Sequence, residues 1–186
     1  MPKSFGLPER YRVLSELGSG GMGSVYKARD SSLDKVVAIK LLKSEVIGQD
    51  PKAVQRFQRE AQATGKLKND FLVTTLDFGV TAEGLCYLVL EYIEGKTLKE
   101  LIAENGRLSV EFALELFIQM ISGMVHAHAQ KVIHRDLKSA NIIVFELEDG
   151  SKQIKIIDFG IAKVQDENLS LTDTNAIVGS PLYMSP

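Results

Sequence analysis

Tryptophan is absent from this chain of 186 residues, and cysteine occurs once, at Cys86. A single thiol excludes an intramolecular disulfide framework. Its place in the apolar run LCYLVL marks it as a buried core thiol rather than a reactive one. An excess of either charge is also lacking: Lys plus Arg number 22 and Asp plus Glu 24, for a net charge of −2. The basic residues are dispersed, which excludes the concentrated cationic surface that nucleic acid requires. No basic-then-apolar leader opens the chain, and no uninterrupted apolar run approaches the ~20 residues that cross a bilayer. A cytoplasmic location, with no membrane segment in this portion, is therefore expected. Neither a cysteine nor a third histidine is spaced to join His126 and His128, so zinc is not expected either.

What is present is enough apolar material, at 45% of residues, for a real core. The length fits one domain of ordinary size, or one and a half. Two stretches stand out. VIHRDLKSANIIV (132–144) places His134, Arg135, Asp136, Lys138 and Asn141 within eight positions. KIIDFG (155–160) ends a β-rich run on Asp158. Ionisable groups this close to buried strands are costly unless something uses them.

The upstream half reads as a sheet with one helix. Residues 1–10 are a polar lead-in, and Tyr11 to Leu17 is a strand. Four glycines in six positions (Gly18, Gly20, Gly21, Gly23) join it to a second strand, Ser24 to Arg29. A hairpin tip with so few side chains exposes backbone N–H groups and can approach an anion. A strand follows the last glycine where a dinucleotide fingerprint would open a helix, which argues against that fingerprint. Val36 to Leu42 is a third strand with Lys40 inside it, and burying an ammonium needs a partner. Asp50 and Pro51 suit the cap and first position of a helix. Its inward stripe is Val54, Phe57 and Ala61, and Glu60 lies at the stripe's edge, within reach of Lys40 across the sheet. Phe71 to Leu76 and Leu85 to Tyr92 complete five largely antiparallel strands, with a turn-rich stretch (77–84) between them. Glu94-Gly95 is a linker.

The second half reads as helical, then a hairpin. Leu98 to Ala103 is a short helix. Ser109 caps a long one, Val110 to Ala129, apolar enough to be the central helix of an α-helical lobe. A hairpin (141–145 and 153–157, turning at Asp149-Gly150) brings Asn141 and Asp158 to one end of two paired strands. An amide and a carboxylate oxygen there suit a hard divalent ion such as Mg²⁺, which needs few protein ligands where phosphates supply the rest. Asp136 is placed to accept or orient a proton, and Lys138 to meet developing negative charge.

Taken together, GSGGMGSVY, VAIK, Glu60, HRDLKSAN, DFG and GSPLYMSP resemble the catalytic domain of eukaryotic-type protein kinases, specifically the bacterial serine/threonine branch. The resemblance runs in unbroken order from Tyr11 to Pro186. It implies an α+β fold with an antiparallel five-stranded N-lobe (11–93) carrying one main helix, then the first part of a mainly helical C-lobe (94–186). It implies ATP and Mg²⁺ as cofactors, protein substrates phosphorylated on Ser or Thr, and self-association for autophosphorylation. Leu17, Gly18, Gly20 and Gly23 would cover the nucleotide, and Lys40, held by Glu60, would meet its α- and β-phosphates. Val25 and Ala38 above, with Ile143 below, would enclose the adenine. Leu90 would be the gatekeeper, with the backbone of Glu91 and Ile93 reading adenine edges. Asp136 would take the substrate hydroxyl, Lys138 would stand beside the moving phosphoryl group, and Asn141 and Asp158 would bind Mg²⁺. Arg135 would meet a phosphate in the segment holding Thr172, Thr174 and Ser180.

Three departures qualify the resemblance. Ser180 stands where the family has threonine. The stretch between Asn141 and Asp158 is a few residues long, placed as an extended hairpin at 146–152. The chain also stops at Pro186, before the family's substrate platform, so this chain alone is expected to be poorly soluble or inactive. The rival readings are a nucleotide-binding regulatory pseudokinase and a small-molecule kinase. GSPLYMSP resembles a peptide-positioning loop and speaks against the latter.

Overall fold

The computed structural model describes residues 5–20, 23–42 and 53–159. The Asp50-Pro51 helix start, Thr172, Thr174, Ser180 and GSPLYMSP lie outside the described residues. Two compact units form, one from the chain up to Lys66 with Thr74–Tyr92, the other from Leu67–Val73 and the chain from Ile93.

The first unit is an antiparallel five-stranded sheet in the order β1-β2-β3-β5-β4, with one helix among the described residues. Its elements are β1 (Tyr11–Gly20), β2 (Gly23–Asp30), β3 (Lys35–Leu42), α1 (Ala53–Gly65), β4 (Thr75–Val80) and β5 (Cys86–Glu91). Alternation in β3 decides which face packs: Val37, Ile39 and Leu41 are buried, while Val36, Ala38 and Lys40 are half-buried. The buried face joins Tyr11, Tyr26, Ala28, Tyr87 and Val89 in one cluster. On α1, Phe57, Ala61 and Thr64 are buried at helical spacing and Val54 is half-buried.

Two expectations for this unit need correction. Residues 5–10 are more than a polar lead-in. Phe5 and Leu7 pack on the sheet cluster, and the Gly6 carbonyl accepts from the Ala82 N–H at 3.0 Å. Strand β4 is Thr75–Val80 rather than 71–76. Phe71 to Val73 are apolar because they serve the other unit, where Leu72 bridges to Ile156. Asp77, expected in a turn, sits in β4. Its carboxylate accepts from Arg10 at 2.5 Å and from the Tyr11 hydroxyl at 2.8 Å.

Cys86 is fully buried. Burial pushes its thiol from 9.0 up to about 11, and burial beside Asp77 raises the Tyr11 hydroxyl as well. The folded state holds both protons more tightly than the unfolded chain does. That stabilisation is complete below the unfolded values and is lost as pH rises through the folded ones. Urea unfolding is expected to show stability falling between about pH 9 and about pH 11, with a shallower slope in Cys86→Ala. A slope unchanged by that substitution would contradict the assignment.

In the second unit, α2 (Leu98–Asn105) and α3 (Val110–Ala129) accompany a three-stranded sheet, β6 (Lys96–Thr97), β7 (Ile142–Glu146) and β8 (Lys152–Ile156). The two-residue β6 was not anticipated. Thr97 and Glu100 form a reciprocal cap on α2, and Ser109 Oγ accepts from the Phe112 N–H at 3.1 Å on α3. The core gathers Leu67, Leu72, Leu116, Ala127, Ile142, Val144, Ile154, Ile156 and Phe159.

Helix α3 is an apolar helix with much of its apolar surface open among the described residues, in line with the expectation that the central helix lacks part of its packing in this chain. By length and composition it is apolar enough to cross a membrane, although Glu111, Glu115 and Gln119 interrupt its apolar run. Leu116, Gly123 and Ala127 are its buried residues. A Cβ on Gly123 would stand 2.9 Å from Leu72 and 3.5 Å from Ile156, so the helix lies close on the strand region at that point. Phe117, Ile118, Ile121 and Val125 are each more than half exposed.

Candidate active site

Residue pairing collects the nucleotide-facing candidates of the first unit on one face of its sheet. Directly opposed residues share a face. Gly18 pairs with Val25, Val25 with Lys40, and Lys40 with Leu88; the next row pairs Lys27 with Ala38 and Ala38 with Leu90. Gly18, Val25, Ala38, Lys40 and Leu90 thus lie together, opposite the face that carries Tyr26, Val37 and Ile39. Leu17 falls at a register shift in β1 and is half exposed. Gly20 pairs with Gly23, which closes the described ends of the hairpin. Glu60 is on α1, half-buried. The Glu91 N–H is engaged by the Thr74 carbonyl at 3.0 Å and its carboxylate accepts from the Thr74 N–H at 2.7 Å. The backbone N–H of Glu91 is therefore not an open donor.

In the second unit a short loop and a hairpin assemble the polar cluster. Asp136 Oδ2 accepts from Lys138 Nζ at 2.9 Å, and the carboxylate is mostly shielded from water. Asn141 is buried in a single 3₁₀ turn (Ser139–Asn141) rather than on the strand as expected. Its Nδ2 donates to the Asp136 carbonyl at 2.8 Å and faces Oδ2 at 3.3 Å. With its nitrogen turned to Asp136, the amide oxygen is the end left to act as a ligand. Strands β7 and β8 pair from Ile142–Ile156 to Glu146–Lys152, and the Ile157 N–H donates to the Asn141 carbonyl at 2.9 Å. Asn141 and Asp158 therefore reach the same end of the hairpin, as its pattern suggested. The extra length sits in a tight turn at 147–151, closed by Leu147 and Ser151.

Arg135 and Asp158 both adopt left-handed backbone, with φ of 62° and 61°. For non-glycine residues this costs roughly 1 kcal/mol or more each, and such strain collects at functional sites. Ile143 is half-buried on the face opposite Ile142 and Val144, and Ile93 is half-buried where the second unit begins. Arg135 is exposed, and the phosphate acceptors expected to face it lie outside the described residues.

His134 is the residue whose work the sequence did not reveal. It is 1% exposed, its Nε2 meets the Ile157 carbonyl at 2.8 Å, and its Nδ1 accepts from the Asp136 N–H at 3.3 Å. Its ring lies 4.7 Å from that of Phe159. One imidazole thus ties the backbone before Asp158 to the backbone of Asp136. The available signal was a histidine directly after the apolar pair Val132-Ile133.

A hard metal ion fits the donor set of one amide and one carboxylate oxygen. Among the described residues no group of three or more His, Cys, Asp or Glu side chains could enclose a metal. Such an ion would depend on a ligand's oxygens to complete its shell.

Comparison with known proteins agrees with this chemistry. The protein kinase domain model matches residues 11–186. Serine/threonine-protein kinase pkn3 of Myxococcus xanthus is 38% identical over 95% of this chain and 33% of its own length. Serine/threonine-protein kinase PrkC of Bacillus subtilis is 41% identical over 95% of this chain and 26% of its own. The chain therefore spans about a quarter to a third of such relatives. The crystal structure of the Mycobacterium tuberculosis PknI kinase domain superposes with a TM-score of 0.73 at 25% identity, covering 86% of this chain and 63% of that one.

Proposed function

Because this chain belongs to the protein kinase domain family, we propose that it transfers the γ-phosphate of ATP to serine and threonine hydroxyls of proteins, itself included. Dependence on a nucleotide and a metal is general to that family, as is a protein substrate; ATP with Mg²⁺, Ser/Thr selectivity and self-association are the specific proposal. The bacterial serine/threonine kinases that resemble this chain support it, as does the DLKSAN motif. A cytoplasmic site of action, where ATP is available, goes with it.

One observation carries the reading most: Asp136 is held between Lys138 and Asn141, at the end of the hairpin that delivers Asp158. Asp136 is the group to orient and receive the proton of the attacking hydroxyl. Lys138 neutralises charge beside it. Asn141 keeps Asp136 in place through its nitrogen and, with Asp158, offers oxygen ligands to Mg²⁺. When bound, that ion would neutralise phosphate charge and hold the phosphates for in-line transfer. In the first unit, Lys40 is the cation for the α- and β-phosphates, and Val25, Ala38 and Leu90 form an apolar surface for adenine.

The test is incubation with Mg²⁺, γ-labelled ATP and a generic basic protein substrate, followed by phosphoamino-acid analysis. Phosphoserine and phosphothreonine, both lost in Asp158→Ala, would support the transfer and would overturn the expectation that this chain is inactive alone. Tight nucleotide binding with no incorporation would favour the regulatory pseudokinase instead.

A further inference from the structure

Residues 152, 154 and 156 of β8 turn backbone groups away from β7. An open strand edge leaves such groups without partners. Here the edge is closed twice. The Ile156 N–H donates to the Phe71 carbonyl at 2.8 Å, and the Ile156 carbonyl accepts from the Val73 N–H at 3.0 Å. The second closure comes from a side chain. Gln119, midway along α3, donates from Nε2 to the Lys152 carbonyl at 3.0 Å and accepts through Oε1 from the Ile154 N–H at 2.9 Å. A carboxamide carries a donor and an acceptor side by side, as a strand's peptide group does, so one Gln replaces one step of a neighbouring strand.

The strand so held runs directly into the polar cluster. Val144 opposes Ile154, Ile142 opposes Ile156, and the Ile157 N–H reaches the Asn141 carbonyl. A slip of one residue would turn every β8 side chain to the opposite face and part Asp158 from Asn141. Packing alone resists such a slip weakly on this strand, because only Ile154 and Ile156 of its five residues are buried.

We propose that Gln119 is a positioning residue: by fixing β8 at Lys152 and Ile154, it sets the register that brings Asn141 and Asp158 together. It thereby controls the metal-dependent part of nucleotide binding. This second clause rests on the proposed function; the register itself does not. Gln119 acts through β8, so its effect appears as a change in how metal tightens nucleotide binding rather than in metal-free affinity.

Two measurements on the same chain test this, with Gln119→Leu and Gln119→Glu. Leu keeps the bulk and loses both bonds; Glu keeps the acceptor and sets a carboxylate against the Lys152 carbonyl. Amide exchange is expected to quicken about tenfold at Ile154 and at Ile157 in Gln119→Leu, with Gln119→Glu affected less at Ile154. The tightening of ATP binding by Mg²⁺ is expected to shrink about three- to tenfold, with metal-free affinity unchanged. If Gln119→Leu does not fold, Gln119→Glu decides by the same readouts. Unchanged exchange at Ile157 overturns the inference. Quickened exchange with unchanged Mg²⁺ dependence overturns the link to nucleotide and leaves a purely structural bond pair. A wild-type chain that binds no ATP with or without Mg²⁺ overturns the proposed function, and the exchange result still decides the register.

Discussion

Asp136→Asn is expected to slow phosphoryl transfer by roughly 10²–10⁴-fold while Mg²⁺-ATP affinity stays near that of the wild type. The substitution preserves volume but removes the proton acceptor. It also brings an amide into a setting built for a carboxylate, where Oδ2 receives Lys138 Nζ at 2.9 Å and faces Asn141 Nδ2 at 3.3 Å. The backbone contacts of the loop are independent of this side chain: Asn141 holds the Asp136 carbonyl, and His134 holds its N–H. Folding and the Asn141–Asp158 end of the hairpin should therefore persist. Single-turnover transfer rates beside calorimetric ATP affinities make the comparison. A rate within about tenfold of wild type would remove Asp136 from the proton-transfer role.

Gly23→Ala is expected to destabilise the fold by ~2–4 kcal/mol, whereas Gly18→Ala and Gly20→Ala change stability by less than ~0.5 kcal/mol. The three glycines look alike as a phosphate-covering motif. Their surroundings differ. A Cβ on Gly23 would stand 2.0 Å from the Leu41 carbonyl oxygen, at a φ of 154°, so backbone must move. A Cβ on Gly18 or Gly20 meets nothing within 4 Å. Urea denaturation of the three variants separates the effects. Losses of nucleotide affinity in Gly18→Ala or Gly20→Ala would then report on the ligand rather than on folding. Equal stability in all three would contradict the close approach of β2 to β3 at this point.

The legible parts of the fold were those where local pattern and tertiary packing agree. Burial in β3 alternates from Val36 to Leu41, so Ile39 and Lys40 face opposite ways. Ser109 ahead of an apolar helix marked its own cap, and α3 begins where that cap required. The hairpin's paired ends put Asn141 and Asp158 together before any coordinates. Where apolar character had another cause, the pattern misled. Phe71 to Val73 resembled a strand of the first sheet, yet they pair with the end of β8, a contact between residues more than eighty positions apart. A two-residue strand such as β6 has too little sequence to show a period. In α3, apolar content marked a central helix; Leu116, Gly123 and Ala127 are its buried line, with Phe112, Met120 and Met124 partly covered beside it.

The candidate site followed the same division. The resemblance of the ordered motifs to protein kinases named Lys40, Glu60, Asp136, Lys138, Asn141 and Asp158 as the site. The bonds that hold them were not legible. His134 joins two backbones distant in sequence, and Gln119 bonds a strand more than thirty residues ahead. Neither partnership leaves a periodic or spaced signature. The bond from the Glu91 N–H to the Thr74 carbonyl was likewise not legible.

The most direct test of the account is the effect of Mg²⁺ on ATP affinity, measured by calorimetry for the wild-type chain and Asp158→Ala. Mg²⁺ is expected to tighten ATP binding by roughly tenfold or more in the wild type and to leave Asp158→Ala unaffected. An ATP affinity indifferent to Mg²⁺ in the wild type, or an equal Mg²⁺ effect in Asp158→Ala, would contradict the assignment of this hairpin end as the metal-binding half of a kinase site.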